Sequence, residues 1–333
     1  MHLDWMPFVE LVQRHQRFLI MTHVRPDGDA LGSELALAAH LRQHGKTARV
    51  VVASNVPPRY RFLDPKGSAI ERFRPPGDEF RDIDVIIIVD TGTWNQLGDF
   101  ADFMKSMTVP KVVIDHHRTQ DDLGALRFVD TSAEAAGRLV YDACKTLGQP
   151  LSLETAQALF LAVATDTGWF HHPNTTASTF ALADELTRVG AQPSRIYDEL
   201  YDQSSLGRLK LIGRVLERIK LVADGQVAYA QVFLSDFPET GAIPPDTEDL
   251  INYPRSVEGV EVAMMMIEQQ NKTVKVSFRS RSRIEVDRIA ERFAGGGHKL
   301  ASGATIPGTM EDVCAKVVKV VLEALMTQPP STL

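Results

Sequence analysis

Four short runs in the first half of the chain are apolar at nearly every position: Phe18 to His23, Ala48 to Ala53, Val85 to Val89 and Lys111 to Ile114. Between and after them, apolar residues recur at three- and four-residue spacing, which predicts helices over 30–43, 132–147, 153–165 and 177–189. Runs that are apolar on both faces are strands covered on both faces, the pattern of a parallel sheet sandwiched by helices. Residues 1–190 therefore read as an α/β domain, with VIIIV at 85–89 as a central strand. The stretch LGRLKLIGRVLERIK places leucines and isoleucines at helical spacing, so 191–223 reads as a connecting helical linker. After Asp224-Gly225 the texture changes to VAYAQVFL, VEVAMMMIEQ and TVKVSFRSR, three strand-like runs. A helix over 286–293, a strand over 301–306 and a helix over 311–326 complete a smaller mixed α/β domain, 224–327. The end of the chain, 328–333, reads as a disordered tail.

A length of 333 residues agrees with two cores rather than one. The composition, 44% hydrophobic and 24% charged, is that of an ordinary globular protein. No apolar run approaches the roughly 18 residues of a membrane span, and MHLDWMPFVE lacks the basic flank and apolar block of a secretion signal, so the expectation is a cytoplasmic protein without membrane partners. Cys144 and Cys314 are too far apart in the sequence to suggest a disulfide framework or a thiolate metal site. The net charge of -7 argues against binding long duplex nucleic acid, which relies on many Lys and Arg contacts to phosphates. A short anionic ligand is still compatible, because Lys272 to Lys299 holds eight basic residues against three acidic ones.

Candidate chemistry gathers at the ends of the predicted strands. MTHVRPDGDALGS, 21–33, carries His23, Asp27 and Asp29 within seven residues. Pro-Asp-Gly-Asp is good turn chemistry, and Asp29 reads as the cap of a helix starting near Ala30. Neither role explains the histidine and the second carboxylate. Asp90 follows VIIIV directly, and Asp115-His116-His117 follows VVI. In open α/β sheets ligands bind at the carboxyl edge of the strands, so three separate elements deliver His or Asp to one edge. A fourth, Asp166, lies within the apolar run LFLAVATDTGWF, where an unpartnered carboxylate is costly. Divalent metal ions give these groups a common purpose. Mixed imidazole and carboxylate ligands suit Mn²⁺, Zn²⁺ or Fe²⁺, and four ligand aspartates match the charge of two such ions. Paired ions of this kind clamp an in-line phosphoryl displacement.

Taken in chain order, His23-x3-Asp27-x-Asp29, Asp90, Asp115-His116-His117 and Asp166 resemble the four motifs of the DHH phosphoesterase superfamily. GGGHKLASG at 295–303, preceded by SFRSR at 277–281, resembles the associated DHHA1 domain of the two-domain nanoRNase group, the bifunctional oligoribonuclease and pAp phosphatases. NYPRSVEGVEVA at 252–263 is similar to the same group. The resemblance implies an N-terminal parallel-sheet DHH domain, a smaller C-terminal mixed α/β DHHA1 domain and an active-site cleft between them. It implies that His23 and Asp27 bind one Mn²⁺, that Asp29, His116 and Asp166 bind a second, and that Asp90 bridges the two. Asp115 would orient a histidine, and His117 would face the scissile phosphate as cation or proton donor. Arg279, Ser280, Gly295, Gly296, Gly297 and His298 would bind substrate, the glycines by letting backbone N–H groups approach it. His171-His172, where relatives often carry a basic or aromatic pair, reads as surface or packing. The implied activity is Mn²⁺-dependent hydrolysis of short oligoribonucleotides to 5'-mononucleotides, together with pAp to AMP. A homodimer is compatible with all of this. The alternatives are a cyclic di-AMP or pApA phosphodiesterase and, further off, an inorganic pyrophosphatase.

Overall fold

The computed structural model describes residues 3–327, so the tail expected at 328–333 lies outside the described residues. The chain divides into two compact units, Met1–Gln203 and Ser204–Leu333. In the first unit the elements run α1 (Met6–Arg14), β1 (Arg17–Met21), α2 (Gly28–Gln43), β2 (Thr47–Val52), β3 (Ile70–Arg72), β4 (Val85–Val89), α3 (Phe100–Ser106), β5 (Lys111–Asp115) and β6 (Leu126–Val129). Four helices follow: α4 (Ala136–Leu147), α5 (Leu153–Asp166), α6 (Ala177–Val189) and α7 (Pro193–Tyr201).

All six strands of this unit are parallel, in the order β3-β2-β1-β4-β5-β6. The order reverses between β1 and β4, and an open sheet leaves its ligand crevice at the carboxyl ends of the strands at such a point. Alternation along the central strands feeds two cores. Phe18 and Ile20 of β1, with Val85, Ile87 and Val89 of β4, face one layer. Leu19 and Met21, with Ile86 and Ile88, face the other. This explains why VIIIV is apolar throughout. The two short strands β3 and β6, which the apolar pattern does not single out, complete the edges.

α2 is buried from Gly28 to Leu41 and packs closely on α5. Gly32 makes that approach feasible, since a Cβ there would sit 2.5 Å from the Ala158 carbonyl oxygen. The cap of α2 corrects one expectation. The helix begins at Gly28, and Asp27, in extended conformation, is its cap: Asp27 Oδ1 accepts from the N–H groups of Asp29 and Ala30 at 3.0 and 3.1 Å. Asp29 instead lies inside the first turn and is buried. Two further boundaries differ. Residues 132–135 precede α4 rather than beginning it, and the region expected as one linker helix contains two, α7 and α8 (Leu206–Glu217). The chain turns at 202–205, where Ser205 caps α8 by accepting from Arg208 N–H; the two units also part there.

The second unit continues with β7 (Lys220–Val222), β8 (Val227–Val232), α9 (Asp236–Thr240), α10 (Asn252–Arg255), β9 (Val262–Glu268) and β10 (Thr273–Ser280). It ends with α11 (Val286–Glu291), β11 (Gly296–His298), β12 (Ala301–Pro307) and α12 (Met310–Thr327). Its sheet order is β11-β12-β10-β9-β8-β7, antiparallel except for the β8–β9 pair. Alternate residues of β9 again serve two cores, Val262, Met264 and Met266 on one side and Ala263, Met265 and Ile267 on the other. The N-terminal parallel α/β domain and the C-terminal mixed domain expected from the sequence are both present. Among the described residues, no helix is long and apolar enough to cross a membrane.

Candidate metal centre

The carboxyl ends of β1, β4 and β5 meet the start of α2 and the end of α5. His23 stands two residues past β1, Asp90 follows β4 and His116 follows β5. One ligand atom from each of His23, Asp27 and Asp90 lies within 4.8 Å of the others, and the same is true of Asp29, His116 and Asp166. A third set, Asp90, His116 and His117, satisfies the same condition and lies between them in membership. The path from residue 23 to residue 166, through the nine elements α2 to α5, thus brings all six expected ligands into two adjoining triads.

Local bonds fix which atom each histidine presents. His23 Nδ1 is 3.0 Å from the Val24 carbonyl and His116 Nδ1 is 3.1 Å from the Ala133 carbonyl. A carbonyl only accepts, so each Nδ1 carries the proton and each Nε2 faces the carboxylates. His23 Nε2 is 3.4 Å from Asp90 Oδ2. His116 Nε2 is 3.5 Å from Asp90 Oδ1, 3.8 Å from Asp29 Oδ2 and 3.9 Å from Asp166 Oδ2. Asp29 is held by the first N–H groups of α4: Ala136 donates to Oδ2 at 2.7 Å and Gly137 to Oδ1 at 2.9 Å. Ser33 Oγ, one helical turn on, donates to Asp29 Oδ1 at 3.1 Å.

His117 differs from its neighbour. Its Nδ1 is 2.8 Å from Asp115 Oδ1, and its backbone N–H donates to the same oxygen at 3.1 Å. Gln120 Nε2 donates to Asp115 Oδ2 and to the His117 carbonyl at 2.5 and 3.1 Å. Asp115 is completely buried, and it orients His117 rather than His116.

The electrostatics are those of a cage built for positive charge. Burial by itself lowers the His23 imidazole, but Asp90, then Asp27, outweigh it and carry its pKa up to about 10. His116 follows the same logic: burial opposes its cation, and Asp90, Asp29 and Asp166 raise it to about 11. Burial raises Asp166 to about 7, with His116 opposing and Asp90 adding to the rise. Burial, then Asp90 and Asp166, put Asp29 well above the usual carboxylate range. Asp27, partly open to solvent yet deep among protein atoms, is raised by desolvation and then by Asp90. Asp90 alone goes down. Burial would lift it, but His116 and His23 hold it well below the ordinary value. Its Oδ1 is buried and accepts no hydrogen bond among the described residues, and its backbone is left-handed with φ 59°. An orphaned carboxylate oxygen on a strained residue, at the meeting of two His/Asp triads, suits a shared divalent cation.

The sequence reading passed over several supporting groups. Gln120 and Ser33 hold Asp115 and Asp29. Asn174 Nδ2 donates to the carbonyls of Glu134 and Asp166 at 2.9 and 3.4 Å. Glu34 is fully buried and among the described residues neither of its carboxylate oxygens has a hydrogen-bond partner; burial pushes it well above the usual range, His23 opposing. The signal for Glu34 was present, as an acid inside GSELALAAHL; the others depend on tertiary contacts. His172 Nδ1 lies 3.3 Å from the Asp166 carbonyl, and His171 is exposed.

In the second unit, Arg279 lies on β10, half-buried, donating to the Phe278 carbonyl at 3.0 Å and making no ion pair among the described residues. Burial, with Arg255 adding to it against Asp249, lowers its pKa. Most other cations of that region are engaged: Arg283 with Gln226, Arg288 and Lys299 with Glu285, Arg292 with Glu323. Ser280 is buried, donating to Glu261 Oε1 at 3.1 Å and accepting from Ile284 N–H at 3.2 Å. The glycine segment is not a free loop. Gly296–His298 forms the edge strand β11 on β12, and Gly295 and Gly297 have no room for a Cβ against residues 301–304.

Residues 17–165 match the profile of the DHH family, N-terminal domain, and residues 224–327 that of the DHHA1 domain. The chain is 32% identical over 311 residues to the bifunctional oligoribonuclease and PAP phosphatase NrnA of Thermus thermophilus, covering 92% of this chain and 89% of the relative. The chain belongs to the DHH family. A protein of the same name from Bacillus subtilis is 27% identical over 90% of this chain and 92% of its own length. The crystal structure of an exopolyphosphatase-related protein from Bacteroides fragilis superposes with a TM-score of 0.90 at 27% identity, covering 97% of this chain and 95% of that one. That of exonuclease RecJ bound to manganese shares the fold at a TM-score of 0.53 and 15% identity, covering 99% and 96%. This DHH chain is a metal-dependent phosphohydrolase with phosphodiesterase or phosphatase activity.

Proposed function

We propose that this DHH enzyme hydrolyses short oligoribonucleotides to 5'-mononucleotides and removes the 3'-phosphate of pAp, using two Mn²⁺ ions. The observation that carries the reading is the pair of adjoining triads, His23–Asp27–Asp90 and Asp29–His116–Asp166, with an orphaned Asp90 oxygen beside both. The names of the relatives, oligoribonuclease and PAP phosphatase, support the substrate class. Mixed imidazole and carboxylate donors without thiolate favour Mn²⁺ over Ca²⁺ or Cu⁺.

In this proposal His23, Asp27 and Asp90 would hold one ion and Asp29, His116 and Asp166 the other, with Asp90 available to both. Bound there, such a pair supplies Lewis-acid polarisation of the phosphoryl group and activates water for in-line attack. The remaining steps belong to side chains. His117, fixed by Asp115 and raised in pKa despite burial, offers a cationic N–H to the phosphoryl oxygens or a proton to the leaving group. Asp115, locked by Gln120, keeps that ring from rotating. Arg279, a half-buried guanidinium with no carboxylate bound to it among the described residues, supplies the second unit's charge for a substrate phosphate, whereas the Gly295 N–H is already committed to the Ala290 carbonyl at 2.9 Å.

The test is a panel of pApA, a longer oligoribonucleotide, pAp, cyclic di-AMP and pyrophosphate, assayed with Mn²⁺ on the parent and on Asp90→Asn. Mononucleotide release from pApA and AMP from pAp, both lost in the variant, are expected. Pyrophosphate turnover exceeding both, or full activity of Asp90→Asn, overturns the assignment.

A further inference from the structure

The two triads are held in place by different means. In the first, the bonds that hold the side chains are local, and the one distant tie to a member is the backbone bond from the Asp90 N–H to the Ile114 carbonyl at 3.0 Å. His23 bonds to the carbonyl of the very next residue, Asp27 bonds to N–H groups two and three residues on, and Asp90 Oδ1 accepts nothing among the described residues. In the second, one stretch of chain reaches all three members. The Ala133 carbonyl takes the His116 proton at 3.1 Å. The Ala136 and Gly137 N–H groups, 107 and 108 residues from Asp29 in sequence, hold its two oxygens. Asn174 ties the Glu134 carbonyl to the Asp166 carbonyl, at 2.9 and 3.4 Å. Gly137 keeps this stretch close, because a Cβ there would meet Ala162 Cβ at 2.5 Å and Asp29 Oδ1 at 3.4 Å. Glu134, nearly buried, is clamped in turn by Arg138 at 2.7 Å, which also donates to the Ser178 carbonyl at 2.8 Å.

We infer that residues 133–137, latched by Asn174, preset the Asp29–His116–Asp166 triad, so that this site binds its divalent ion more tightly and fills first. The inference rests on the metal-centre reading and adds an order of loading and a set of positioning residues to it. A ligand set whose members are already at their separations gives up less conformational freedom on binding, and outer partners of metal ligands contribute about 10- to 100-fold in affinity. The local bonds of the first triad orient each group singly and leave their mutual spacing to the strand ends.

Calorimetric titration of the full chain with Mn²⁺, with a competing chelator for the tight step, tests this without any turnover. Two unequal steps are expected. Asp166→Asn should remove the tighter and Asp27→Asn the weaker. Ala136→Pro deletes only one N–H at the first position of α4, where proline is tolerated and where Ala135 is already extended. It should weaken the tight step about tenfold and leave the weak one within about twofold. Asn174→Asp, which turns a double donor toward two carbonyls into an acceptor, should do the same. If Ala136→Pro melts early in chelator, Asn174→Asp decides. Thr176→Ala is the structural control: it removes the Thr176 hydroxyl from the α6 cap and should lower the melting temperature without moving either step. Equal steps, loss of the weak step in Asp166→Asn, or parental tight affinity in Asn174→Asp would overturn the inference. A parent that binds no ion at all would instead remove the metal-centre reading beneath it.

Discussion

His40, inside α2, is a buried imidazole that should make the DHH unit sensitive to acid. It is completely buried, and among the described residues neither ring nitrogen has a hydrogen-bond partner. Its ring meets His44 edge-on at 4.9 Å. Burial, and after it the neighbouring His44, lower its pKa from 6.5 to about 4; the Cys144 carbonyl favours the cation slightly from outside hydrogen-bond geometry. The unfolded chain therefore takes up a proton near pH 6.5 that the folded chain refuses until about pH 4. Stability from this group is fully present above pH 6.5 and is lost as the pH falls toward 4. At about 1.4 kcal/mol per unit of pKa difference, the loss between pH 7 and pH 5 is roughly 2 kcal/mol, rising to about 3 kcal/mol at pH 4. His40→Leu keeps a side chain of similar bulk and removes the titration. Denaturant unfolding of parent and variant in the presence of chelator, from pH 4 to 8, should give curves that converge at neutral pH in slope and diverge by that amount in acid. Site carboxylates and histidines titrate alike in both proteins and cancel in the difference. Parallel curves would show that His40 takes up its proton as readily folded as unfolded, and the reasoning from burial would be wrong.

Other expectations follow from the same structure. Asp90→Asn should reduce kcat by at least about a hundredfold, because it alters the group placed beside both triads; it should also shrink, without abolishing, the rise in melting temperature expected of the parent with Mn²⁺, read by calorimetry. Chelation of the parent should stop phosphodiester hydrolysis, and added Mn²⁺ should restore it. Arg279→Ala should raise KM for pApA about tenfold or more with a smaller change in kcat, since the guanidinium is assigned to uniform substrate binding; an unchanged KM would remove Arg279 from the site. Gly32→Ala should destabilise the first unit by about 1–3 kcal/mol in urea unfolding, because its Cβ would press on the backbone of α5.

What the sequence made legible was the central layer and its edge. Strand ends at His23, Asp90 and Asp115 follow from runs buried on both faces, and the chemistry placed there needed no knowledge of partners. β3, with sequence IER, and β6, with LRFV, escaped because they are short and largely exposed, so no burial pattern marks them. β11 escaped because glycines carry no side-chain alternation. The choice between Asp27 and Asp29 as cap could not be made from two acids two residues apart. It is settled by tertiary structure: the N–H groups of Ala136 and Gly137 claim the Asp29 carboxylate, and Asp27 is then the acid left at the helix start. The late start of α4 has the same origin. Residues 132–135 remain outside the helix, and the Ala133 carbonyl faces His116 instead of joining the helical ladder.

The adjacent histidines after β5 illustrate how one strand end can serve two purposes. Successive residues leaving a strand start toward different sides, yet both rings come to Asp90, whose Oδ1 lies 3.5 Å from His116 Nε2 and 3.6 Å from His117 Nδ1. The rings lie edge-on at 4.6 Å and each is locked through Nδ1, one by a backbone carbonyl and one by a carboxylate. That difference in partner separates their chemistry. A carbonyl leaves the His116 Nε2 lone pair available as a ligand while the ring stays neutral when a cation is bound. A buried carboxylate at 2.8 Å favours the charged ring of His117, which suits a group that meets phosphate rather than metal. In the proposed assignment, then, it is the partners Ala133 and Asp115, not the histidines themselves, that set which imidazole would be ligand and which acid.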